Sequence, residues 1–424
     1  MQRDRRRSGV LVLALLGAAC ATQGVGSLPS GAHGVEYRGG RWFDGTRFTP
    51  RTMYEVGGVL RVARPAVVDS VIDLSGGYVV PPFADAHQHL VDPRIQQTID
   101  AFLRDGIYYV KDQGNAPFGR RPIDPLLNRP TGFDYISANQ GWTSPGGHPV
   151  EVIQRGAAMG GPVAAFIRDS LDPALINQVE TTEDIDRRWP YFVSGKPAPD
   201  FVKVYLFYSN DHARRRADPR FHGNRGIDPA LVPYLVTRAH ATGLEVSAHV
   251  YTAADWRVAI AAGVDQIAHL PGGRANDPAP FLLTDVDAAA AAAKGVSVVT
   301  TLIQHGDSAT TDAIVKSQYV HNITVLRRHK VPLLIGSDVI GGTARTEAMT
   351  LARTGLFTNL ELLRMWSVDT PRAIFPQRRI GLLQDGYEAS FLVLAGDPIA
   401  DFTHTGAIVR RVKQGRPLMI PRTP

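Results

Sequence analysis

Histidine, lysine and aspartate recur in this chain at places where an apolar run stops. His87 and His89 follow the run Tyr78 to Ala86. Alternate residues of a strand share a face, so both imidazoles point the same way and can chelate one cation. With 13 histidines in 424 residues, one such pair is weak evidence by itself. His249 and His269 strengthen it, because each ends a further apolar run and their spacing is that of one strand-helix-strand unit. Asp338 closes the run Val331 to Ser337. Lys203 interrupts Phe201-Val202-Lys203-Val204-Tyr205-Leu206, where an unpaired buried ammonium is unfavourable. Imidazole nitrogens and a carboxylate are the donor set of divalent metals. Taken singly, the same residues have plain structural readings: core histidines with satisfied hydrogen bonds, a capping aspartate, a snorkelling lysine. Two more candidates line a pocket around them. His148, in the glycine-rich stretch Ser144 to Pro149, could donate to a substrate carbonyl or carboxylate, or simply pack its loop; Tyr205 shares the Lys203 face. His240, His321 and His329 fall on expected helices and read as surface or packing residues.

These residues meet only if the elements carrying them are arranged to bring strand ends together. From about residue 83 to 375, strand-like and helix-like segments alternate, the pattern of parallel strands joined by helical crossovers. The clearest unit runs from a strand at Leu244 to Val250, through Thr252 and Asp255 as a capping box, a helix at Ala253 to Ala262 and a stop at Gly263, into a strand at Val264 to Leu270. Asp285 and Asp287 begin an alanine-rich helix that ends at Lys294-Gly295 before a strand at Val296 to Leu302. The other strands expected are Tyr78 to Ala86, Ile107 to Lys111, Phe133 to Ala138, Phe201 to Leu206 and Val331 to Gly336. Eight such units fit an α/β fold of the (β/α)₈ TIM-barrel type, with its active site at the C-terminal strand ends. An open doubly wound sheet is the alternative.

The flanks are different. Residues 34–80 and 376–424 hold short glycine-punctuated β-runs such as Met53 to Val56, Ser390 to Leu394 and Ala407 to Val412. Neither is long enough to bury a core alone, so they are expected to form one small β-sandwich built from both chain ends and packed on a barrel at 81–375.

Composition narrows the function classes. The chain is 44% hydrophobic and 20% charged, enough for a full core. Its net charge of +6 owes about half to Arg3, Arg5, Arg6 and Arg7, and no basic run is interleaved with aromatics, so a nucleic-acid partner is set aside. Those arginines precede the apolar run Gly9 to Ala19, too short to span a bilayer and of signal-peptide length. Residues 1–20 therefore read as an export signal. The single cysteine, Cys20, follows Leu16-Gly17-Ala18-Ala19 and stands either at a lipoprotein cleavage site, giving a lipid anchor, or beside an ordinary small-residue site, giving a soluble periplasmic protein. Either way the mature chain has no disulfide. A homo-oligomer is neither required nor excluded.

The chain resembles the metal-dependent amidohydrolase superfamily from about residue 35 onward. The resemblance is carried by Pro81-Pro82-Phe83-Ala84-Asp85-Ala86-His87-Gln88-His89, Gly106-Ile107-Tyr108-Tyr109-Val110-Lys111-Asp112, Ser144 to Pro149, Ala248-His249, Ala268-His269, Gly336-Ser337-Asp338 and Gly381-Leu382-Leu383-Gln384-Asp385-Gly386. Within the superfamily it is most similar to imidazolonepropionase and prolidase-like members. The resemblance implies that His87 and His89 bind one divalent metal and His249 and His269 a second, with Lys203 carboxylated as a bridging ligand. Asp338 then ligates the first metal and exchanges a proton with a metal-bridging hydroxide. Zinc is the default metal, with manganese, cobalt or iron as alternatives. The implied reaction is hydrolysis of an amide or cyclic-amide carbon–nitrogen bond in a small molecule. Xaa-Pro-type dipeptide cleavage, lactone or ester hydrolysis and mononuclear deamination are the alternatives on the same fold, and a periplasmic metal-holding binding lipoprotein is the alternative outside enzymes. Two stretches depart from the family pattern. Glu388-Ala389-Ser390 replaces an alanine-aspartate turn, and the bulky Tyr205-Leu206-Phe207-Tyr208 replaces small residues, which leaves the substrate open.

Overall fold

The computed structural model describes residues 28–115, 124–158, 176–195, 198–273, 277–305 and 313–420. The expected leader at 1–20, Cys20 included, lies outside them.

Pro81-Pro82 divides what reads in sequence as one strand, because neither proline has an N–H to give to a ladder. Before the pair, Tyr78–Val80 belongs to a sheet shared by the two chain ends. After it, β1 (Phe83–His89) opens the parallel strands. These continue as β2 (Ile107–Gly114), β3 (Asp134–Ser137), β4 (Gly141–Thr143), β5 (Ile176–Gln178), β6 (Val202–Tyr205), β7 (Val246–His249), β8 (Gln266–Ile267), β9 (Ser297–Val299) and β10 (Leu333–Leu334). One sheet has the order β3-β2-β1, the other β5-β4-β6-β7-β8-β9-β10, and all of these pairs are parallel. Backbone bonds join the two sheets: Ala86 N donates to Ile335 O at 2.9 Å and Asp338 N to His87 O at 2.8 Å, so β10 lies beside β1.

The expected third strand, Phe133 to Ala138, is present as β3, whereas β4 and β5 have no counterpart in the sequence reading. Asn139 takes the left-handed conformation at φ 50°, which interrupts the ladder and leaves β3 and β4 as separate pieces. The ladders of β8 and β10 are also only two residues long, although Val264, Ile267, Ala268 and Leu270 around the first and Val331, Leu334 and Ile335 around the second are buried. Apolar character marks the buried segment, whereas pairing is lost where the backbone turns out toward the strand-end loops.

Helix boundaries follow local chemistry. Thr252 and Asp255 form a reciprocal capping box for Ala253–Ala262, and Gly263 ends that helix at φ +88°. The helix Asp285–Ala293 has Thr284 as its cap, bonded to Asp287 N, one residue before the aspartate at which the sequence places its start. Phe83 stacks on Trp366 at 3.8 Å, and the Trp366 indole N–H donates to Ala84 O, so the C-terminal helical segment is seated against β1.

The flanks meet. The strand Phe391–Leu394 pairs antiparallel with Tyr78–Val80 and with Ile408–Lys413, while Tyr78–Val80 pairs parallel with Arg41–Phe43. A second sheet holds His33–Arg38, Met53–Val56, Val59–Arg61 and Val67–Asp73. Tyr37, Trp42, Met53, Leu60, Phe391 and Val412 pack in one apolar cluster drawn from both sheets and both chain ends.

Candidate metal centre

The site is assembled from the C-terminal ends of β1, β6, β7 and β8 and from the turn after β10. Gly336 makes the first approach possible. A Cβ there would lie 2.6 Å from His87 N and 2.8 Å from His87 Cβ, so any side chain would push β10 off β1. Two residues later, Asp338 sits in the left-handed region at φ 54°, a strained choice for a residue with a Cβ that its N–H bond to His87 O holds in place. Asp85, fully buried, locks the same junction: it accepts from His87 N, Ser337 N, Ser337 Oγ and Gln88 Nε2. Burial raises its carboxyl to about 6 against those hydrogen bonds.

His87 and His89 are held by their inner nitrogens. His87 Nδ1 donates to Ala268 O at 2.7 Å and His89 Nδ1 to Gly114 O at 3.1 Å. A carbonyl can only accept, so each ring carries its proton on Nδ1 and presents the Nε2 lone pair, the arrangement of a metal-ligating histidine with an outer-shell partner. The two Nε2 atoms lie 3.1 Å apart, and Asp338 Oδ1 is 3.3 and 3.2 Å from them. Two imidazole nitrogens and a carboxylate oxygen converging in this way form a donor set that can hold a divalent cation. The donor atoms of His87, His89 and Asp338 all fall within 4.8 Å of one another. Charge agrees with geometry: although burial opposes it, the neighbouring His87 and His89 hold Asp338 well below the usual carboxylate range. Burial pushes His87 well below the ordinary imidazole value, while Asp338 overcomes burial and raises His89.

The second pair lies next to the first. His269 Nε2 and His249 Nδ1 are 2.7 Å apart, and the ring centroids of His87 and His269 are separated by 5.6 Å. His249 Nε2 is buried with no hydrogen-bond partner among the described residues. Burial, reinforced by His269 and His148, pushes its imidazole far down, which favours the neutral ring. Lys203 is fully buried on β6, and its one hydrogen-bond acceptor among the described residues is Gln113 Oε1 at 3.4 Å. Burial, opposed by Asp338 and Asp112 and aided by Lys111, pushes its amine down to about 7. A neutral amine is the form that reacts with carbon dioxide, so the donor chemistry fits a carboxylated lysine as well as metal.

Tyr205 and His148 border this cluster. Their rings lie 5.6 and 4.6 Å from that of His249. His148 Nδ1 is bonded to Glu151 Oε1 at 2.7 Å, which leaves Nε2 for another partner. Glycines give Tyr205 its room: a Cβ on Gly141 would come within 2.3 Å of its ring. Burial raises the Tyr205 phenol far above its ordinary value, so it keeps its proton. Phe207 is stacked between His249 and Tyr251, at 5.7 and 4.3 Å, so the bulky run after Lys203 forms one wall. His240, His321 and His329 lie away from the cluster, bonded to Asp265, Leu283 O and Asp285.

Several supporting residues escape a motif-based reading. Asp112 accepts from Val91 N, Gly114 N, Asn115 Nδ2 and Tyr135 and so fixes the carbonyl that holds His89. Gln113 and Gln266 are buried amides on β2 and β8, bonded to each other at 3.0 Å. Gln266 has a signal in sequence, a polar residue inside the run Val264 to Leu270, as Lys203 has in its own, whereas Gln113 follows Lys111-Asp112 and has none.

Residues 214–418 match the amidohydrolase family model. No curated protein matches the chain. Among solved structures, an amidohydrolase superposes with a TM-score of 0.69 at 21% identity, over 92% of this chain and 99% of its own. A prolidase complexed with N-methylphosphonate-L-proline gives 0.67 at 17%, over 92% and 100%. The ochratoxinase of A. niger gives 0.69 at 17%, over 92% and 96%. At such identities the likeness is one of fold. The family model spans the strand ends that carry His249, His269 and Asp338, and the shared fold runs through nearly the whole chain: residues 214–418 form an amidohydrolase-family domain, and the protein is a hydrolase.

Proposed function

We propose that the chain hydrolyses an amide or cyclic-amide carbon–nitrogen bond in a small molecule, using two divalent metals held at one end of a (β/α)₈ barrel. The observation that carries this reading is the convergence of His87 Nε2, His89 Nε2 and Asp338 Oδ1 with both Nδ1 atoms tied to backbone carbonyls. The barrel is supported by the bonds from β10 to β1, which put the first and last parallel strands side by side. His87, His89 and Asp338 would hold one metal, His249 and His269 the other, and a carboxylated Lys203 both. Bound there, divalent zinc, or manganese, cobalt or iron, lowers the pKa of a water and polarises the scissile carbonyl. Asp338 would take a proton from that water and pass it to the leaving nitrogen. His148, its ring fixed by Glu151, presents Nε2 to a substrate carbonyl or carboxylate. Tyr205 offers a phenol that stays protonated.

Metal analysis of the purified protein, beside a screen of dipeptides, N-acyl amino acids, lactams and lactones, tests this. Close to two metals per chain and release of a carboxylate and an amine are expected. One metal per chain with ammonia released would replace the reading by a mononuclear deaminase in which Lys203 is unmodified. Turnover of lactones alone would move the bond from carbon–nitrogen to carbon–oxygen.

We propose further that the chain is exported, either soluble in the periplasm or anchored at Cys20. The arginine-led apolar run before Cys20 supports this. The mass of the mature N-terminus distinguishes the two fates, and an intact Met1 in the cell would exclude both.

A further inference from the structure

A file of hydrogen-bonded polar side chains crosses the strands beside the metal centre and ends on Lys203. Ser297 Oγ on β9 accepts from Gln266 Nε2 on β8 at 3.3 Å. Gln266 Oε1 accepts from Gln113 Nε2 on β2 at 3.0 Å and from Ser247 Oγ on β7 at 3.4 Å. Gln113 Nε2 donates also to Ala86 O at 3.1 Å. Gln113 is fully buried. Because the backbone carbonyl of Ala86 can only accept, the amide has one orientation, nitrogen toward Ala86 and oxygen toward Lys203 Nζ at 3.4 Å. The arrangement matches poorly with an ammonium, which has three donors and here meets a single acceptor among the described residues. It matches well with a nitrogen bearing one N–H.

We propose that Gln113 is a positioning residue for a carboxylated Lys203: its Oε1 takes the one N–H of the carbamate and turns both carbamate oxygens toward the imidazoles of the site. The inference rests on the carbamate reading given above. In forming the carbamate, the lone pair of the neutral amine makes a nitrogen–carbon bond to carbon dioxide. One carbon–oxygen π pair moves onto oxygen as the carboxylate charge, one N–H proton leaves to water, and the remaining N–H is the one Gln113 receives. The rest of the file holds Gln113 so that its oxygen cannot turn away.

The test follows the carbamate carbon itself. Protein loaded with zinc in the presence of ¹³C-bicarbonate, which supplies labelled carbon dioxide, is examined by ¹³C NMR and by metal content per chain. The wild type is expected to show one slowly exchanging carbamate resonance. Gln113→Leu removes the acceptor at similar volume. It should lose most of that resonance and weaken zinc binding by roughly 10- to 100-fold, the usual effect of removing an outer-shell partner. Gln113→Glu changes one atom and keeps the shape, so it serves where the leucine variant does not fold. Its carboxylate pairs with the ammonium form of Lys203 and should also abolish the resonance while circular dichroism stays native. A folded variant of either kind with wild-type resonance and zinc content overturns the role of Gln113 and leaves the carbamate standing. Absence of any carbamate resonance in the zinc-loaded wild type overturns both together.

Discussion

Asp338 is given two duties, holding a metal and carrying a proton, and one substitution separates them. Asparagine keeps the size and one oxygen donor but cannot accept a proton from water. Asp338→Asn is therefore expected to fold and retain most of its metal, because His87 and His89 keep their Nε2 atoms in place through Ala268 O and Gly114 O. Its kcat should fall by about 10² to 10⁴, the usual contribution of general acid–base catalysis. Metal analysis beside single-turnover kinetics decides it, and near-normal turnover with metal bound would move the proton to another group. Lys203→Ala asks a different question of the same site. Truncation removes the bridging oxygens, so metal content should drop sharply and recover in part when a short carboxylic acid is added to fill the space. Full occupancy and activity without rescue would exclude a carbamate bridge.

At the scale of elements, the loop after β9 is pinned from a distance by a helix. Glu347, buried on Ala344–Thr354, accepts from Thr300 Oγ1 at 2.6 Å and from Ile303 N at 2.9 Å. Burial outweighs these bonds and raises its carboxyl from 4.5 to about 7. Below pH 4.5 the group is protonated in both folded and unfolded chains, so nothing is lost. As the pH rises from 4.5 toward 7 the unfolded chain ionises while the folded one does not, and stability declines; above 7 the loss is complete and constant. The loss is on the order of 3 kcal/mol. Glutamine can donate to Thr300 and accept from Ile303 without a charge, so Glu347→Gln should lack this decline. Urea unfolding of both proteins at pH 5 and pH 8 measures it, and an equal decline in both would remove Glu347 as its source.

The whole molecule is tied through its ends. Phe391–Leu394 supplies the ladder partner of Tyr78–Val80, and Phe391 packs on Tyr37 at 4.9 Å and Trp42 at 5.2 Å. Lys413, fully buried, bonds Asp134 on β3 at 2.5 Å, together with Arg129 O and Gly132 O at 2.6 Å. Arg378 bridges the same Asp134 to Glu388. Deleting residues 380–424 should therefore expose the N-terminal strands as well, because their core loses Phe391, Val393 and Val412 and Asp134 loses Lys413 inside the protein, a severe loss for a buried charge. Limited proteolysis reads this directly: cleavage should appear within 34–76 in the truncated protein and not in the intact one. Continued protection there would mean that the N-terminal sheet stands alone.

What the sequence determined by itself was local and periodic. Polar residues that break apolar runs pointed to His87, His89, Lys203, His249, His269 and Asp338, and capping chemistry at Thr252, Asp255 and Gly263 placed a helix to the residue, because a cap is a contact between near neighbours. The pairing of the two flanks was legible in outline, since neither could bury a core alone. Tertiary structure decided what depends on groups distant in the chain. Nothing near His87 announces that Ala268 O will take its Nδ1 proton, or that Gly336 must lack a side chain for β10 to pass beside it. Gln113 is one more glutamine until β8 sets Gln266 against it and β6 brings Lys203 to its oxygen. Asp85, Asp112 and Glu347 are ordinary acids in sequence, and their raised carboxyls come from burial that the packed fold imposes. Donor types and their period are properties of the chain, whereas the direction of a lone pair and the cost of a charge are set by the surroundings, which exist only once distant segments have met.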